Sequence, residues 1–288
     1  MISVALAQYP VSRLDNWDDF ADNIRTWVKS ASEKNASLLM FPEYASMELV
    51  GLLPQDIQVK LNEQLVYLQK FYAGYIALFE QLARQYSLYI LAGSYPVLTD
   101  EKEYRNRASF FGPSGLIGFQ DKLIMTRFER ERWRISPGDQ LSVFKTDIGN
   151  IGINICYDSE FPMLARRQAE AGADVILVPS CTDTQAGYQR VRTGARARAL
   201  ENQCFVLHAA LVGDADKNPA VFRNTGKSAV YCPPDSKISD SGIWTQKTDE
   251  VAGLLTADID LAVTQTLREQ GQVTTYADWP RQWLITGP

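Results

Sequence analysis

The sequence predicts an α/β fold built on mixed β-sheet, and three observations support this prediction. Short apolar runs of strand length, such as residues 2–8, alternate with segments of helical spacing, such as residues 17–32. Three strand-like runs, 88–95, 105–111 and 116–121, follow one another without a helix, which requires antiparallel neighbours. The 288 residues are 45% hydrophobic and 22% charged, so the chain can bury a large core.

Each element of the first half has its own signal. Residues 2–8 and 37–41 are apolar runs that predict buried strands. A long amphipathic helix is predicted over 61–86, because apolar residues recur there at helical spacing. Residues 112–115, Gly-Pro-Ser-Gly, predict a hairpin turn. The charged and aromatic segment 123–138 is predicted to be a loop.

The second half repeats the alternation. Residues 141–146 are predicted to pair with the strand that precedes Cys156. The other predicted elements are helix 164–171, strand 173–179, helix 191–202, strands 205–211, 226–231 and 251–258, and helix 260–270. Residues 1–270 are predicted to form a single domain, because no linker or low-complexity segment interrupts them. The apolar tail, 271–288, is a candidate for packing on a partner subunit.

Composition excludes several function classes. A net charge of −5 argues against nucleic acid or an anionic membrane as a partner. The amino terminus lacks a charged segment followed by a long apolar run, and no later stretch reaches bilayer-spanning length, so we expect a cytoplasmic protein. The four cysteines show no Cys-x-x-Cys spacing, which predicts neither a zinc site nor a disulfide framework. We therefore expect no metal and no cofactor.

The most informative stretch contains Cys156. A β-branched run, Ile151, Ile153 and Ile155, leads directly into this cysteine. Pro162 then opens a helix at a position where its missing N–H is harmless. A cysteine on such a strand-to-helix turn can be held as a thiolate and offered to an electrophile. A lone cysteine is more often a small buried hydrophobic residue, so Cys156 needs partners before it counts as a nucleophile.

The single histidine restricts the choice of mechanism. A hydrolase with a histidine-based triad needs an imidazole as base, and His208 is the one candidate. It lies in the predicted buried strand 205–211, where a histidine is more often structural. If Cys156 is a nucleophile, carboxylate and lysine side chains must supply the proton chemistry.

Three reactive residues each follow a predicted strand: Glu43, Lys122 and Cys156. Taken singly, a strand-end glutamate is usually a cap or an ion pair, and a strand-end lysine usually reaches solvent. Jointly they fit one mechanism. The sulfur attacks a carbonyl or nitrile carbon, the carboxylate takes the thiol proton and later activates water, and the ammonium stabilises the oxyanion.

The sequence resembles the nitrilase superfamily of carbon–nitrogen hydrolases, in its amidase-like branch. Five motifs occur in the order typical of that superfamily and extend over nearly the whole chain. They are Phe-Pro-Glu-Tyr (41–44), Asp-Lys-Leu (121–123), Ser-Pro-Gly-Asp (136–139), Gly-Ile-Asn-Ile-Cys-Tyr-Asp (152–158) and Arg-Ala-Arg-Ala-Leu-Glu-Asn-Gln (196–203).

The resemblance implies a fold, an assembly and a set of site residues. The implied fold is a four-layer α-β-β-α sandwich with two mixed sheets, and the implied assembly is a homodimer or a higher homo-oligomer. The implied catalytic triad is Glu43, Lys122 and Cys156. A fourth, orienting glutamate is implied in the loop after the lysine, and counting back from Pro137-Gly138 places it at Glu131, with Glu129 as the alternative.

The resemblance also indicates the substrate class, a small-molecule amide or carbamoyl compound. Tyr157 is typical of amidase-like members, whereas nitrilases tend to have tryptophan there. Branches acting on anionic ω-amides often carry an arginine where this chain has Glu160. A carboxylate in the acyl pocket would repel an anionic substrate tail. Tyr157, Glu160 and Cys181 are the candidate substrate-binding residues.

Several alternatives remain open at this point. Glu160 could instead turn outward and pair with Arg166, Arg167 or an arginine of the segment 127–134. The same thioester chemistry could serve nitrile hydrolysis or acyl transfer. From another class, the chain could be a non-catalytic α/β binding protein in which Cys156 is merely packed.

Overall fold

The computed structural model describes residues 1–215 and 217–286. Its strands are β1 Ile2–Pro10, β2 Leu38–Met40, β3 Tyr89–Leu91, β4 Tyr95–Leu98, β5 Tyr104–Gly112, β6 Gly115–Asp121, β7 Ile135–Ser136, β8 Val143–Thr146, β9 Gly149–Ile153, β10 Val175–Ser180, β11 Phe205–Asp214, β12 Arg223–Asn224, β13 Ala229–Tyr231, β14 Ile243–Gln246 and β15 Gly253–Ile259. Its α-helices are α1 Trp17–Glu33, α2 Gln55–Gln58, α3 Leu61–Tyr86, α4 Arg127–Glu131, α5 Pro162–Glu170, α6 Gln185–Asn202, α7 Leu261–Gln270 and α8 Thr275–Asp278. Three 3-10 helices cover Ala45–Leu52, Cys156–Glu160 and Trp279–Leu284.

The strands form two mixed sheets that are joined by a short pairing between β1 and β11. In the first sheet, β1, β2 and β3 are parallel, β5 is antiparallel to β3, and β15 is antiparallel to β1. In the second, β9, β10 and β11 are parallel, while β8 and β13 run antiparallel. The sheets join where Tyr9 and Pro10 of β1 pair with Leu211 and Val212 of β11. The predicted mixed α/β fold is confirmed, and the two sheets are continuous at this junction.

Alternation along β1 shows how the layers are assembled. Ala5, Ala7 and Tyr9 belong to the core between the first sheet and helices α1 and α3. Val4 and Leu6 point the other way, into the core shared with the second sheet. Because successive strand residues face opposite sides, one strand can serve both cores. Helix α6 covers the far face of the second sheet, which completes the helix–sheet–sheet–helix order of the expected sandwich.

Several predicted elements differ from the observed ones. The segment 123–138, predicted to be a loop, contains β7 and also α4, which Thr126 caps. The predicted strand 88–95 is divided into β3 and β4 at Gly93, whose φ is +74°. A side chain there would collide with the carbonyl oxygen of Pro42, so glycine is required at this turn. The predicted helix 191–202 begins earlier, at Gln185, because the Thr184 hydroxyl accepts a hydrogen bond from Gly187 N and caps it.

The tail is partly attached to the body of the chain. The ring of Tyr276 and the ring of Trp279 both lie against the guanidinium of Arg166, with centroids 4.7 and 5.2 Å from Cζ. Trp283 is 66% exposed. Packing of the tail on a partner subunit, and a domain boundary at residue 270, stay predictions. None of the described helices combines the length and apolar composition needed to cross a bilayer.

Candidate active site

Four strand ends converge on one cavity of about 630 Å³. Glu43 lies three residues after β2, Lys122 directly after β6, Cys156 three residues after β9, and Cys181 directly after β10. All four line this cavity. The residues that follow these strands therefore supply the reactive groups of the cavity.

A buried ion cluster centres on Lys122. Its ammonium donates to Glu43 Oε1 at 2.7 Å and to both oxygens of Glu129, at 2.8 and 2.7 Å. All three side chains are at most 3% exposed. A buried charge is tolerated only when it is paired and hydrogen-bonded, and here one cation is shared by two carboxylates. The cluster therefore carries one excess negative charge when both carboxylates are ionised.

Glu129, and not Glu131, is the glutamate beside the lysine. The sequence-based placement of Glu131 at this position was wrong. Glu131 is half-exposed and its carboxylate pairs with Arg127, at 2.8 Å. Positions two apart on a helix are separated by about 200°, so only one of the two can face the lysine. Glu129 is selected because it is the third residue of α4, where its side chain reaches back to Thr126 N at 3.0 Å.

Two further polar side chains hold the carboxylates, and sequence reasoning missed both. Asn106 Nδ2 donates to Glu43 Oε1 at 2.9 Å and to Glu129 Oε1 at 3.2 Å. Tyr44 donates its hydroxyl to Glu129 Oε1 at 2.7 Å. Tyr44 stood in the Phe-Pro-Glu-Tyr motif and could have been suspected. Asn106 lies inside a long strand without any sequence signal.

Cys156 opens a short 3-10 helix in a left-handed backbone conformation, with φ +50°. A non-glycine residue in this region carries backbone strain that the surroundings must offset. Its sulfur receives a hydrogen bond from the Ser180 hydroxyl at 3.4 Å and lies 3.6 Å from the carbonyl oxygen of Cys181. Glu43 Oε2 accepts a hydrogen bond from Cys181 N at 3.0 Å. The backbone of Cys181 thus links the sulfur to the carboxylate.

The charges of this site set the resting state of the thiol. Burial, and then the Glu43 carboxylate, raise the pKa of Cys156 well above its usual range. Burial also raises the pKa of Glu43, although Lys122 opposes that shift. Burial acts to lower the pKa of Lys122, but the Glu129 and Glu43 carboxylates outweigh it and raise that pKa. These shifts favour a neutral thiol at rest over the preformed thiolate that the sequence suggested.

Asp158 fixes the two segments that carry the lysine and the cysteine. Its carboxylate accepts backbone hydrogen bonds from Ile124 at 2.8 Å and from Leu123 and Ile155 at 3.2 Å. Burial raises the pKa of Asp158 to about 7, against the opposing effect of Lys122 and these amides. The Asp of the Cys-Tyr-Asp motif therefore has a positioning role that sequence reasoning did not assign.

His208 lies outside the cavity. It is fully buried on β11, where its ring stacks on Tyr188 with centroids 6.0 Å apart. Burial lowers the pKa of His208 to about 4, so the imidazole is neutral near pH 7. Among the described residues, no group of three or more His, Cys, Asp and Glu side chains is placed to hold a metal ion.

The candidate substrate-binding residues Tyr157, Glu160 and Cys181 all line the cavity. Glu160 does not pair with any of the arginines considered from the sequence. Its Oε1 lies 3.5 Å from Nε of Arg190, on α6. Arg190 was missed because the sequence-based helix began at residue 191, so the first turns of α6 were not expected at the site.

Comparisons with known proteins identify the family of this chain. The family model described as carbon-nitrogen hydrolase matches residues 3–269. A probable hydrolase of Bacillus subtilis, YhcX, is 33% identical over 96% of this chain and 53% of its own length. This chain therefore spans about half of that relative. An omega-amidase of Xenopus laevis is 28% identical over 93% of this chain and 91% of its own length.

The fold also matches a solved structure. Nit3 of Saccharomyces cerevisiae, a member of branch 10 of the nitrilase superfamily, superposes with a TM-score of 0.73 at 23% identity. The match covers 93% of this chain and 93% of that chain, and at this identity it speaks for the fold alone. With a family model matched over residues 3–269, the chain belongs to the carbon–nitrogen hydrolases, and it shares its fold with Nit3.

Proposed function

We propose that this chain hydrolyses a non-peptide C–N bond of a small amide or carbamoyl compound through a thioester on Cys156. The observation that carries the proposal is the buried cluster of Glu43, Lys122 and Glu129 beside the thiol, on the wall of one cavity. A carboxylate with a raised pKa next to a neutral thiol is suited to general-base catalysis.

Acylation uses Glu43 and Lys122 in turn. Glu43 accepts the thiol proton as the sulfur of Cys156 forms a bond to the amide carbon. The carbonyl oxygen becomes an oxyanion, which the Lys122 ammonium stabilises by a charge-assisted hydrogen bond. When the C–N bond breaks, Glu43 returns the proton to the leaving nitrogen, and ammonia or an amine departs. Glu129 holds the ammonium in position throughout.

Deacylation uses the same groups, with water as the nucleophile and the Cys156 sulfur as the leaving group. Water enters after the amine has left, and Glu43 accepts its proton as the oxygen attacks the thioester carbon. The second oxyanion again lies beside Lys122. The C–S bond then breaks, the proton returns from Glu43 to the sulfur, and a carboxylic acid is released. The cycle uses no group beyond those of the described site.

The names of similar proteins support an amide as the substrate. An omega-amidase is 28% identical to this chain over most of both lengths. Tyr157, which is typical of amidase-like members, lines the cavity. We therefore favour amides over nitriles. The cytoplasmic location and the homodimer remain predictions of the same kind, as does a cycle that needs neither metal nor cofactor.

Three other candidate functions are separable by experiment. Nitrile hydrolysis and acyl transfer would use the same acyl-enzyme and differ in the acyl donor or in the attacking nucleophile. A non-catalytic binding protein would leave Cys156 unreactive. The position of Cys156 on the wall of a cavity that Glu43 and Lys122 also line favours the enzyme over the binding protein.

Ammonia release tests the proposal directly. Wild-type protein is incubated with a panel of primary amides, carbamoyl compounds and nitriles, and Cys156→Ala serves as the inactive reference. Loss of the nucleophile should lower turnover on the order of 10⁴-fold or more, as for nucleophiles of other hydrolases. The fold should persist, because alanine fills most of the thiol's space. A Cys156→Ala variant that kept a tenth of wild-type activity would exclude Cys156 as the nucleophile.

Alkylation tests the binding-protein alternative. Iodoacetamide should modify Cys156 faster than Cys204 and Cys232, which lie outside the cavity and are buried. Peptide mass spectrometry after a short exposure gives the relative rates. Equal rates at all three positions would favour the non-catalytic alternative.

A further inference from the structure

A long ion pair between Glu160 and Arg190 lines the cavity that contains Cys156. Glu160 stands at the end of the 3-10 helix that begins with Cys156, and Arg190 lies near the start of α6. Glu160 Oε1 is 3.5 Å from Arg190 Nε, and both residues line the cavity together with Cys156 and Lys122. The pair therefore lines the same cavity as the reacting sulfur and the Lys122 cluster.

The contact between Glu160 and Arg190 is longer than that of a well-formed ion pair. Within residues 1–215 and 217–286, the carboxylate of Glu160 and the guanidinium of Arg190 form no hydrogen bond at 3.2 Å or less, and their ionic contact is the 3.5 Å approach. The Glu160 side chain is 20% exposed and that of Arg190 is 62% exposed. An optimal arginine–carboxylate contact would be bidentate at about 2.8 Å. Both charges thus retain unused hydrogen-bonding capacity that faces the cavity.

Other cations that line the cavity pair either outside it or within the Lys122 cluster. Arg127 donates to Glu131 at 2.8 Å, and Arg223 lies 3.9 Å from Asp214, and neither of these carboxylates lines the cavity. Lys122 is shared between Glu43 and Glu129. Among the cavity-lining arginines of the described residues, Arg190 is therefore the one whose carboxylate partner also lines the cavity, so that a ligand can meet both charges at once.

We infer that Glu160 and Arg190 together recognise a zwitterionic end of the substrate, an ammonium and a carboxylate carried on one carbon. The inference rests on the proposed amide hydrolysis for the reacting end. The substrate class is then the side-chain amide, or terminal ureido analogue, of an α-amino acid. The ammonium lies on the Glu160 carboxylate, the amino acid carboxylate lies on the Arg190 guanidinium, and the amide carbon reaches Cys156.

A ligand with one charge satisfies only half of this site. An anionic amide meets Arg190 but also the like charge of Glu160, which repels it. A cationic amide meets Glu160 but is repelled by Arg190. A neutral amide leaves the ion pair as it is and gains neither contact. The zwitterion alone replaces a weak internal contact with two charge-assisted hydrogen bonds.

Four amides of one length separate these cases. L-Glutamine carries both charges, glutaric acid monoamide carries the carboxylate alone, 4-aminobutanamide carries the ammonium alone, and butanamide carries neither. Dissociation constants are measured by calorimetry on Cys156→Ala, which requires no turnover. Glutamine should bind about tenfold more tightly than either singly charged amide, as expected for one charged hydrogen bond at a half-exposed site. Ammonia release from the wild type gives the matching kcat/KM values.

Two variants identify which residue binds the ammonium of the substrate and which binds its carboxylate. Glu160→Gln should weaken glutamine and 4-aminobutanamide and leave glutaric acid monoamide equal or tighter. Arg190→Gln should weaken glutamine and glutaric acid monoamide. Butanamide is the internal control and should not change. Arg130→Gln is the matched control variant, since Arg130 is 63% exposed and does not line the cavity.

These measurements distinguish failure of the zwitterion site from failure of the proposed amide hydrolysis. Equal binding of all four amides, or selectivity that both variants leave unchanged, would overturn the zwitterion site while amide hydrolysis could still stand. Tightest binding of the singly anionic amide would also overturn it. Selective binding of glutamine to Cys156→Ala, combined with no ammonia release by the wild type from any amide, would support the zwitterion site and contradict the hydrolase.

Discussion

In the proposed mechanism, Glu43 is the residue on which the first chemical step depends. Burial, and then the Glu43 carboxylate, raise the pKa of Cys156, which favours a neutral thiol before substrate enters. The proton then leaves as the sulfur attacks, which a carboxylate in the same chamber permits. Burial also raises the pKa of Glu43, so the environment that disfavours a resting thiolate makes Glu43 a stronger base.

We predict an acid limb in the pH profile that belongs to Glu43. As a general base it must be ionised, and burial raises its pKa above the ordinary glutamate value. Activity should therefore fall as the pH is lowered through that raised value, at a higher pH than an ordinary glutamate would give. The measurement is kcat/KM against pH on one amide. A profile that stays flat down to the ordinary glutamate range near pH 4.3 would contradict this assignment.

Glu43→Gln is the companion variant. The amide keeps the shape of the side chain but cannot accept a proton, so turnover should fall almost as far as in Cys156→Ala. Near-wild-type activity of this variant would mean that another group takes the thiol proton.

Glu129 and Glu131 form a natural matched pair. Glu129→Gln removes a buried carboxylate that accepts two hydrogen bonds from Lys122, whereas Glu131→Gln removes a half-exposed one. We expect kcat to fall on the order of 10²-fold in the first variant, because the ammonium loses the partner that holds it against the oxyanion. The second should remain within about twofold of wild type, as surface ion pairs contribute little.

At the scale of an element, helix α4 places Glu129 through its capping interaction. Thr126 donates its hydroxyl to Glu129 Oε2 at 2.7 Å and accepts from Glu129 N at 3.3 Å. A five-residue helix has little stability of its own, so its start must be fixed by such contacts. One threonine therefore sets both the start of the helix and the orientation of a site carboxylate.

We predict that Thr126→Ala lowers both stability and activity. Loss of the cap should cost about 1 kcal/mol of unfolding free energy, and kcat should fall with it because Glu129 is less well held. Chemical denaturation and ammonia release measure the two effects. Thr126→Ser keeps the hydroxyl and should restore both. Full activity in the alanine variant would show that Lys122, Tyr44 and Asn106 hold Glu129 in place without the cap.

At the scale of the whole molecule, the tail returns to the body through Arg166. This buried arginine pairs with Glu170 at 2.7 Å, donates to the carbonyl oxygen of Tyr276 at 3.0 Å and lies against Tyr276 and Trp279. Further along, Trp283 is largely exposed. The two tryptophans thus mark two different parts of the tail, one bound to the chain itself and one available for contact with another molecule.

We predict that removing Trp279 affects stability, whereas removing Trp283 affects dimer formation. Trp279→Ala should lower the unfolding free energy by about 1 kcal/mol or more, since a cation–π contact and buried ring surface are lost. Trp283→Ala should leave monomer stability unchanged but weaken the expected homodimer. Denaturation and sedimentation measure the two properties separately. An unchanged sedimentation profile for Trp283→Ala would remove this residue from the dimer interface.

The sequence by itself determined the reactive residues that end strands. Glu43, Lys122 and Cys156 each lie within three residues of the end of a strand, and strand ends are where α/β sheets place their chemistry. The mixed α/β fold followed from the same alternation. These features are local, because hydrophobic periodicity and chain punctuation are written in consecutive residues.

Only the tertiary structure decided which charges meet. Glu129 and Glu131 have the same side chain two positions apart, and the direction of α4 relative to Lys122 selects between them. Asn106 and Arg190 come from the middle of a strand and the first turns of a helix, where no local pattern marks them. Their partners lie 63 and 30 residues away in the chain, for Glu43 and Glu160 respectively. Electrostatic pairing depends on distance in space, which periodicity along the chain does not encode.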